Sequence, residues 1–342
     1  MSKQIKNILI TFDYELYLGK RSGNADDCLI KPTNYLLNIL KKCNLKAIFF
    51  VDTTYLLKLK KQAETHSLAK SDWTKIIHQL ETILRDAHYV FPHIHPHWID
   101  AKYIESSNEW DLSDSSKYRF ENIPTNERSL LFLDSISLLE SIIKPIVPDY
   151  KIDSYRAGGY CIQPFEVFEP LFQKHGIKND FSVIPGLYNR SDVHRFDFRS
   201  ISESIYSFEQ AIEKTQEGGI YKEYPISSVY ISQIQNKVNH YLGLFFLLLQ
   251  LKPIGKGSFV DVSNLEVIDT FSNPNLIRKT SSFDNFNFIT AGAHKKKLKN
   301  SSYLHFVSHP KLLSKANMFF IRNFLKYISI KYTVISNYTN IN

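Results

Sequence analysis

Residues 6–13 read KNILITFD, an unbroken apolar run with β-branched residues that ends in an aspartate. Such a run is typical of a strand that is buried on both faces, as in a parallel sheet. The pattern returns at 45–52, LKAIFFVD, after a helical segment that opens at Pro32. Strand and helix patterns then alternate to the end of the chain, which favours βα units around a parallel sheet or barrel.

The length of 342 residues suits one large domain or two small ones. Because the sequence shows no internal repeat and no linker rich in Pro, Gly or Ser, we expect a single domain. The expected domain covers residues 1–342, with a core at about 5–186 and 218–337 and insertions near 98–124, 187–217 and 230–300.

Composition excludes several classes of protein. The net charge is +8, and its one basic cluster, HKKKLK at 294–299, predicts a solvated loop, with binding of an anionic partner as the alternative. Nucleic acid is not expected as a partner, because no helical segment alternates basic and aromatic residues along one face. Three scattered cysteines, Cys28, Cys43 and Cys161, form no CxxC motif and predict a reducing, cytoplasmic location.

No membrane-crossing or targeting segment is expected. The apolar run near the N-terminus is too short for a signal peptide. The most apolar stretch, YLGLFFLLLQL at 241–251, has eleven residues, whereas a membrane span needs about twenty. We therefore predict a buried helix at 241–251, and peripheral contact of this helix with a membrane surface is the alternative.

Polar residues of unusual type lie at the carboxyl ends of the predicted strands. They are Asp13, Glu15, His93, His95, His97, Arg156, Asp180, Glu223 and His309. Taken alone, each of these residues is adequately explained as a helix cap or as a residue with a structural role. In barrel-like α/β folds, however, this rim is where functional sites are built, so six such strand ends predict one site.

The chemistry of these residues favours metal-assisted hydrolysis of an amide or ester. Two imidazoles and a carboxylate bind a zinc-like ion and leave positions open for water and substrate. A second carboxylate can take a proton from that water, and an arginine beside it keeps it ionised. A histidine from another strand can protonate the leaving group.

Five strings in the sequence resemble, in order, the successive motifs of the polysaccharide deacetylase family, the NodB-homology domain. They are TFDYE (11–15), HIHPH (93–97), YRAGGY (155–160), NDFS (179–182) and VSHPK (307–311). The resemblance covers about residues 6–311 and looks closest to a long, divergent branch found with polysaccharide biosynthesis enzymes. It implies an α/β fold, a distorted (β/α) barrel of about seven strands with surface insertions. It also implies a divalent metal and an acetylated saccharide or glycoconjugate precursor as substrate.

The resemblance assigns the metal site residue by residue. Asp13 matches the family's catalytic base, and Tyr14 stands where the family has a metal-binding aspartate. Glu15, one residue later, is the expected substitute. His93 and His97 have the spacing of the family's metal-binding histidines, and pairing of His93 with His95 is the alternative. Zinc is the expected ion, with cobalt, nickel and manganese left open.

The other motifs supply catalytic and substrate-binding candidates. Arg156 matches the arginine that orients the base, and His309 matches the general acid, with His305 as a weaker rival. Tyr160 stands near the tyrosine whose backbone N–H serves the oxyanion, and Asp180 matches the acidic residue of the fourth motif. Trp98 opens the aromatic insertion at 98–124, which either forms a sugar-stacking wall or packs down as a loop.

Two other functions remain open from the sequence. In a metal-dependent glycosyltransferase, Asp13 and Glu15 would form a DxD-like site for a nucleotide and its metal. That function explains the carboxylates but not the histidines or Arg156. In a catalytically inactive carbohydrate-binding relative, Tyr14 would mark the loss of the metal ligand.

Overall fold

The computed structural model describes residues 3–249, 251–271 and 275–341, without the side chains of residues 247 and 248. The strands are β1 (Ile5–Tyr14), β2 (Ile48–Asp52), β3 (Tyr89–Ile94), β4 (Lys102–Ile104), β5 (Glu109–Asp111), β6 (Ser154–Ala157), β7 (Asn179–Asp180), β8 (Leu187–Arg190), β9 (Arg195–Asp197), β10 (Tyr206–Phe208), β11 (Tyr221–Glu223), β12 (Ser228–Ser232), β13 (Glu266–Asp269), β14 (Leu276–Thr280), β15 (Tyr303–Ser308) and β16 (Thr333–Ile335). The helices are α1 (Lys31–Cys43), α2 (Thr53–Gln62), α3 (Ser67–Arg85), α4 (Thr125–Ile143), α5 (Glu169–His175), α6 (Gln233–Leu248), α7 (Phe288–Asn300) and α8 (Lys315–Lys331).

The predicted parallel sheet is the centre of the fold. Within the described residues it has nine strands in the order β10-β11-β7-β6-β3-β2-β1-β15, with β16 also paired to β1. Every pair is parallel except β10 with β11. The α/β class is confirmed, and the number of parallel strands is eight rather than about seven.

The sheet is strongly curled. Phe50 lies in β2 and Phe181 directly follows β7, so two strands separate them in the sheet order. Three strand spacings would hold these rings roughly 14 Å apart in a flat sheet, yet their centroids are 5.2 Å apart. The backbone N–H of Ser227, beyond β11, also donates to the carbonyl of His305 in β15 (3.1 Å). The expectation of a distorted (β/α) barrel is therefore confirmed.

Aromatic and aliphatic side chains fill the inside of this barrel at its amino end. Residues from β1, β2, β3 and the segments after β7 and β11 form one buried cluster with the C-terminal Tyr338. The Tyr338 hydroxyl donates a hydrogen bond to the carboxylate of Asp153 (2.7 Å). Asp153 directly precedes β6, so the Tyr338 ring lies at the amino ends of the strands. The carboxyl ends are thereby left for polar side chains.

The insertion at 98–124 is packed down rather than forming a sugar-stacking wall. It contains the hairpin β4–β5, and its residues Trp98, Trp110 and Tyr118 are buried. The Trp98 side chain is 0 % exposed, with its ring centroid 4.9 Å from that of Tyr55 and 5.6 Å from that of Trp110. The prediction that Trp98 contacts substrate is wrong, because burying its large apolar ring leaves no face for a saccharide.

The prediction of a buried helix at 241–251 is also wrong. α6 covers most of this stretch, but none of its described side chains is buried, and Tyr241, Leu244 and Phe245 are exposed. Gln250 and the side chains of residues 247 and 248 lie outside the described residues. The helix packs beside the two-stranded β12–β14 sheet, and a cavity separates it from α7 and α8. Its apolar residues are therefore not covered by the core of the protein. In the part of the chain that the structure describes, no helix is long and apolar enough to cross a bilayer.

The basic cluster at 294–299 is helical rather than a loop. It forms the second half of α7, where His294 is buried and Lys297 bonds to Glu203 (2.7 Å) and to the carbonyl of Ser228 (2.8 Å). Lys296 and Lys299 remain exposed. Part of the cluster is therefore structural, and part is free to meet an anionic partner.

Candidate active site

The end of β1 directs two carboxylates to the mouth of the barrel and a phenol away from it. Successive side chains of a strand point to opposite faces, so Asp13 and Glu15 share a face that Tyr14 does not. The Tyr14 hydroxyl instead donates to the side-chain oxygen of Gln79 in α3 (2.7 Å), and both residues are buried. Glu15 thus stands in the site, and Tyr14 belongs to the packing behind β1.

β3 brings two of the three clustered histidines to Glu15. His93 and His95 alternate along extended backbone and face the same side. The Nε2 atoms of His93 and His95 lie 3.0 Å apart, and they lie 3.3 Å and 2.8 Å from Glu15 Oε2. In the described parts of the chain, this triad is the one group of such residues with metal-ligand spacing, and all three are buried.

The protonation of this triad fits a bound cation. His93 Nδ1 lies 2.9 Å from the carbonyl oxygen of Arg156, so Nδ1 carries the proton and Nε2 offers a lone pair. Glu15 Oε2 is buried and faces both Nε2 atoms, at 3.3 Å and 2.8 Å. When ligands surround a zinc ion tetrahedrally at ordinary Zn–N bond lengths, neighbouring ligand atoms lie about 3.3 Å apart. The three distances between ligand atoms in the triad are close to that value. Two imidazoles and one carboxylate therefore fit a divalent metal.

His97 does not join the triad. Pro96 opens a short 3-10 turn, Pro96–Asp100, which carries His97 away from the line of His93 and His95. The His97 ring is buried and stacks on Tyr118 with centroids 4.7 Å apart. The structure thus brings together the alternative pair, His93 with His95, rather than His93 with His97.

Arg156 holds Asp13 from across the barrel. Its guanidinium donates to Asp13 Oδ1 (2.5 Å), to the Thr11 hydroxyl (2.8 Å) and to the carbonyl of Phe181 (2.9 Å). Burial raises the pKa of Asp13, but the charge of Arg156, helped by His93, outweighs this and leaves the pKa lowered. Asp13 is therefore an ionised carboxylate beside the triad.

A second pair of acids lies beneath Arg156 and outside the cavity. Asp180 and Glu223 are fully buried, and Asp180 accepts bonds from the backbone N–H (2.9 Å) and hydroxyl (3.0 Å) of Ser182. Burial, then the charge of Asp180, raises the pKa of Glu223 well above its usual value. The structure places Asp180, predicted as a substrate contact, below the site, where it supports the chain around Arg156.

His309 completes the cluster opposite His93. Its Nε2 lies 3.6 Å from Asp13 Oδ2 and 3.6 Å from Glu15 Oε1. Burial lowers the pKa of His309, but the charge and hydrogen bond of Asp284, then Asp13 and Glu15, raise it above the usual value. The rival His305 is fully buried against Arg156 and does not line the cavity.

Two important residues were missed in the sequence. Lys311 Nζ donates to Glu15 Oε1 (2.8 Å) and lies buried, while the carboxylate of Asp284 binds the His309 ring. Burial raises the pKa of Glu15, but Lys311, then His95, holds it well below its usual value. Lys311 closes the string VSHPK and could have been found there, whereas Asp284 carries no sequence signal.

The cluster opens into a cavity of about 270 Å³. Asp13, Glu15, His93, His95, His309 and Lys311 line its floor. Tyr160 lies in the wall, and Phe259 lies at the rim with 63 % of its side chain exposed. The exposed aromatic ring beside the site is therefore Phe259 of the 230–300 insertion rather than Trp98.

Comparison with known proteins finds similarity among solved structures alone. No family model matches the chain, and no curated protein matches it. A Mycobacterium smegmatis protein provisionally named a polysaccharide deacetylase is 13 % identical over 99 % of this chain and 90 % of its own (TM-score 0.49). A 4-alpha-glucanotransferase from Thermococcus litoralis is 12 % identical over 99 % of this chain and 40 % of its own (TM-score 0.49).

A third structure is the catalytic domain of a peptidoglycan N-acetylglucosamine deacetylase from Eubacterium rectale. It is 13 % identical over 98 % of this chain and 92 % of its own, with a TM-score of 0.36. Polysaccharide deacetylases are thus among the solved structures to which this chain is similar.

Proposed function

We propose that this chain is a metal-dependent hydrolase that removes an acetyl group from an acetylated sugar in polysaccharide or glycoconjugate biosynthesis. One observation carries the proposal: the Glu15–His93–His95 triad lies beside an arginine-held carboxylate, Asp13, and a carboxylate-held histidine, His309. A metal triad, a base and an acid on one cavity floor are the groups that hydrolysis of an amide or ester requires.

The residues divide the work of the reaction. Glu15, His93 and His95 would hold a divalent ion that would supply Lewis acidity, and this donor set suits zinc, cobalt or nickel. Asp13 accepts the proton of the attacking water, since Arg156 keeps it ionised. His309 donates a proton to the leaving nitrogen or oxygen, and Asp284 fixes its ring. Acetate and a free amine or alcohol result.

The geometry disfavours the two other functions. A DxD-like nucleotide site needs both carboxylates on the metal, but Asp13 Oδ1 is bound by Arg156, and Glu15 faces the histidines. The case for an inactive relative rests on Tyr14, which lies behind β1 while Glu15 supplies a carboxylate. The cytoplasmic location stays a prediction.

Metal content tests the first half of the proposal. Protein purified without chelator is analysed by mass spectrometry as wild type, Glu15→Gln, His95→Ala and, as a matched control, His97→Gln. We expect about one zinc-like ion per chain in the wild type and in His97→Gln, and less than about a tenth of it in the other two. Loss in His97→Gln with retention in His95→Ala would contradict the assigned triad.

Acetate release tests the second half. Wild type loaded with zinc or cobalt is offered acetylated chito-oligosaccharides and acetylated xylan, which separate amide from ester cleavage. We expect Asp13→Asn to keep its metal and to lose activity by roughly a hundredfold or more, since the base is gone. Full activity of Asp13→Asn, or sugar transfer without acetate release, would reject the proposed reaction.

A further inference from the structure

α6 carries an apolar stripe that faces away from the protein. Ile234, Val238, Tyr241, Phe245 and Leu249 continue along one side of α6 and the turn that follows it, at spacings of three and four residues. Their exposed fractions are 76 %, 42 %, 68 %, 52 % and 53 %. We call these five residues the α6 stripe.

The opposite side of α6 faces the protein and carries both polar and apolar residues, among them Asn239 and Phe246. Asn239 and Gly243 lie on that side, across a cavity of about 680 Å³ from α7 and α8. The side chain of Asn239 accepts a hydrogen bond from Asn287, the N-cap of α7 (2.5 Å). In a helix that serves only its own domain, the apolar side faces the core and the polar side faces water. In α6, by contrast, the five apolar residues of the α6 stripe face water.

The α6 stripe continues into a larger aromatic surface. Phe246 of α6 contacts Phe320 of α8 (6.4 Å between ring centroids), and Phe320 also contacts Phe288 at the start of α7 (6.4 Å). Phe319, next to Phe320, and Phe288 are themselves exposed. Three helices thus present exposed aromatic rings side by side, which is more than scattered surface residues would give.

The charged residues of the three helices α6, α7 and α8 have one sign. The sequence has no Asp or Glu between Glu223 and Asp261, and none after Asp284, so α6, α7 and α8 contain no acidic residue. Lys237, Lys252 and Lys315 are exposed beside the apolar residues, and the bridge between Pro253 and Ser314 brings the last two into neighbouring positions. Apolar and aromatic side chains flanked by lysines are typical of a helix that lies in the interface of an anionic membrane.

We propose that the α6 stripe and the neighbouring aromatic residues bind the surface of an anionic lipid bilayer. The apolar side chains would enter the boundary between headgroups and acyl chains, and the lysines would contact anionic headgroups. A second copy of the chain fits less well, because two like-charged basic surfaces would repel each other. This inference is independent of the reaction, and it would bring the cavity of Asp13 and His309 to a membrane-attached substrate.

Vesicle sedimentation with the full chain tests the inference. The vesicles are either phosphatidylcholine alone or equimolar phosphatidylcholine and phosphatidylglycerol. We expect sedimentation with the anionic vesicles, weakened by salt at about 1 M, where the Debye length is near 3 Å. The variant Tyr241→Ser/Phe245→Ser should bind at least about tenfold more weakly, since two buried aromatic contacts are lost.

Controls make the result specific. Leu130→Ser removes an equally exposed leucine from α4, outside the aromatic surface, and should bind like wild type. Circular dichroism and size-exclusion chromatography are recorded for every variant. The inference is overturned if the two kinds of vesicle sediment the protein equally, if Tyr241→Ser/Phe245→Ser binds like wild type, or if the wild type is a dimer that this variant converts to monomer.

Discussion

The carboxylate of Asp284 binds His309 at two points. Oδ1 accepts the backbone N–H of His309 (2.8 Å), and Oδ2 lies 2.8 Å from its ring Nδ1. With Nδ1 occupied in this way, Nε2 faces the cavity and lies 3.6 Å from both Asp13 and Glu15. A loop residue with no motif around it therefore sets the direction in which the proposed general acid points.

Asp284→Asn should weaken catalysis without removing the metal. An amide holds the imidazole less firmly, so proton delivery to a poor leaving group should slow by about 10- to 100-fold in kcat, with KM little changed. Hydrolysis of p-nitrophenyl acetate should change far less, since its leaving group departs without a proton. Asp134→Asn, on the exposed side of α4, is the matched control. Equal losses on both substrates would show that Asp284 is structural.

Gly158→Ala should empty the metal site although it changes no ligand. A Cβ at residue 158 would lie 2.5 Å from the carbonyl of Ile94 and 2.8 Å from His95 Nδ1, so the segment carrying His95 must move. We expect metal content to fall at least about tenfold, since a ligand displaced from its bonding distance is lost. Gly292→Ala in α7, where a Cβ meets nothing, should keep its metal. Normal metal content in Gly158→Ala would mean that His95 is not a ligand.

Arg156→Lys should destabilise the fold as well as the site. The guanidinium serves Asp13, Thr11 and the carbonyl of Phe181 at once, and a single ammonium group cannot reach all three. Partners left unpaired in a buried network typically cost about 3–5 kcal/mol, measured as the free energy of unfolding in urea. The exposed Arg190→Lys should change that free energy by less than about 0.5 kcal/mol. A similar small change for Arg156→Lys would refute the bridging role.

Stability should fall as the pH drops below the ordinary histidine pKa. Burial, helped by the charge of Lys46, lowers the pKa of His88 to about 4, and its Nδ1 accepts the backbone N–H of Ala47 (3.1 Å). Between pH 4 and about 6.5 the unfolded chain therefore binds a proton that the folded chain does not, and stability rises with pH. The contribution is complete above about 6.5 and is lost as the pH falls towards 4.

His88→Gln tests this origin of acid sensitivity. The slope of unfolding free energy against pH should become shallower by up to about 1.4 kcal/mol per pH unit, since one proton-linked group is removed. Some slope should remain, because burial also lowers the pKa of His194 and His294 to about 4. The exposed His240→Gln is the control. An unchanged slope in His88→Gln would show that His88 titrates normally when folded.

Local sequence patterns were sufficient to predict the parallel sheet and most of the polar residues at the carboxyl ends of its strands. The apolar run that ends at Asp13, and its recurrence at Asp52, predicted a parallel sheet because a strand buried on both faces needs unbroken apolar residues. Strand-end position predicted that Asp13, Arg156 and His309 would meet, since parallel strands end at one edge. These conclusions depend only on periodicity and position along the chain.

Other features were decided by tertiary structure alone. The choice of His95 over His97 depends on the turn at Pro96 and on the direction of Glu15, and the spacing of the histidines allowed both. The contact of Lys311 with Glu15 joins residues 296 positions apart, which the parallel pairing of β1 with β15 brings together. The outward apolar side of α6 depends on what lies beneath the helix. Apolar sequence determines that a side chain is buried wherever an apolar surface is available to cover it. Only the tertiary structure determines whether that surface is the core of the same chain.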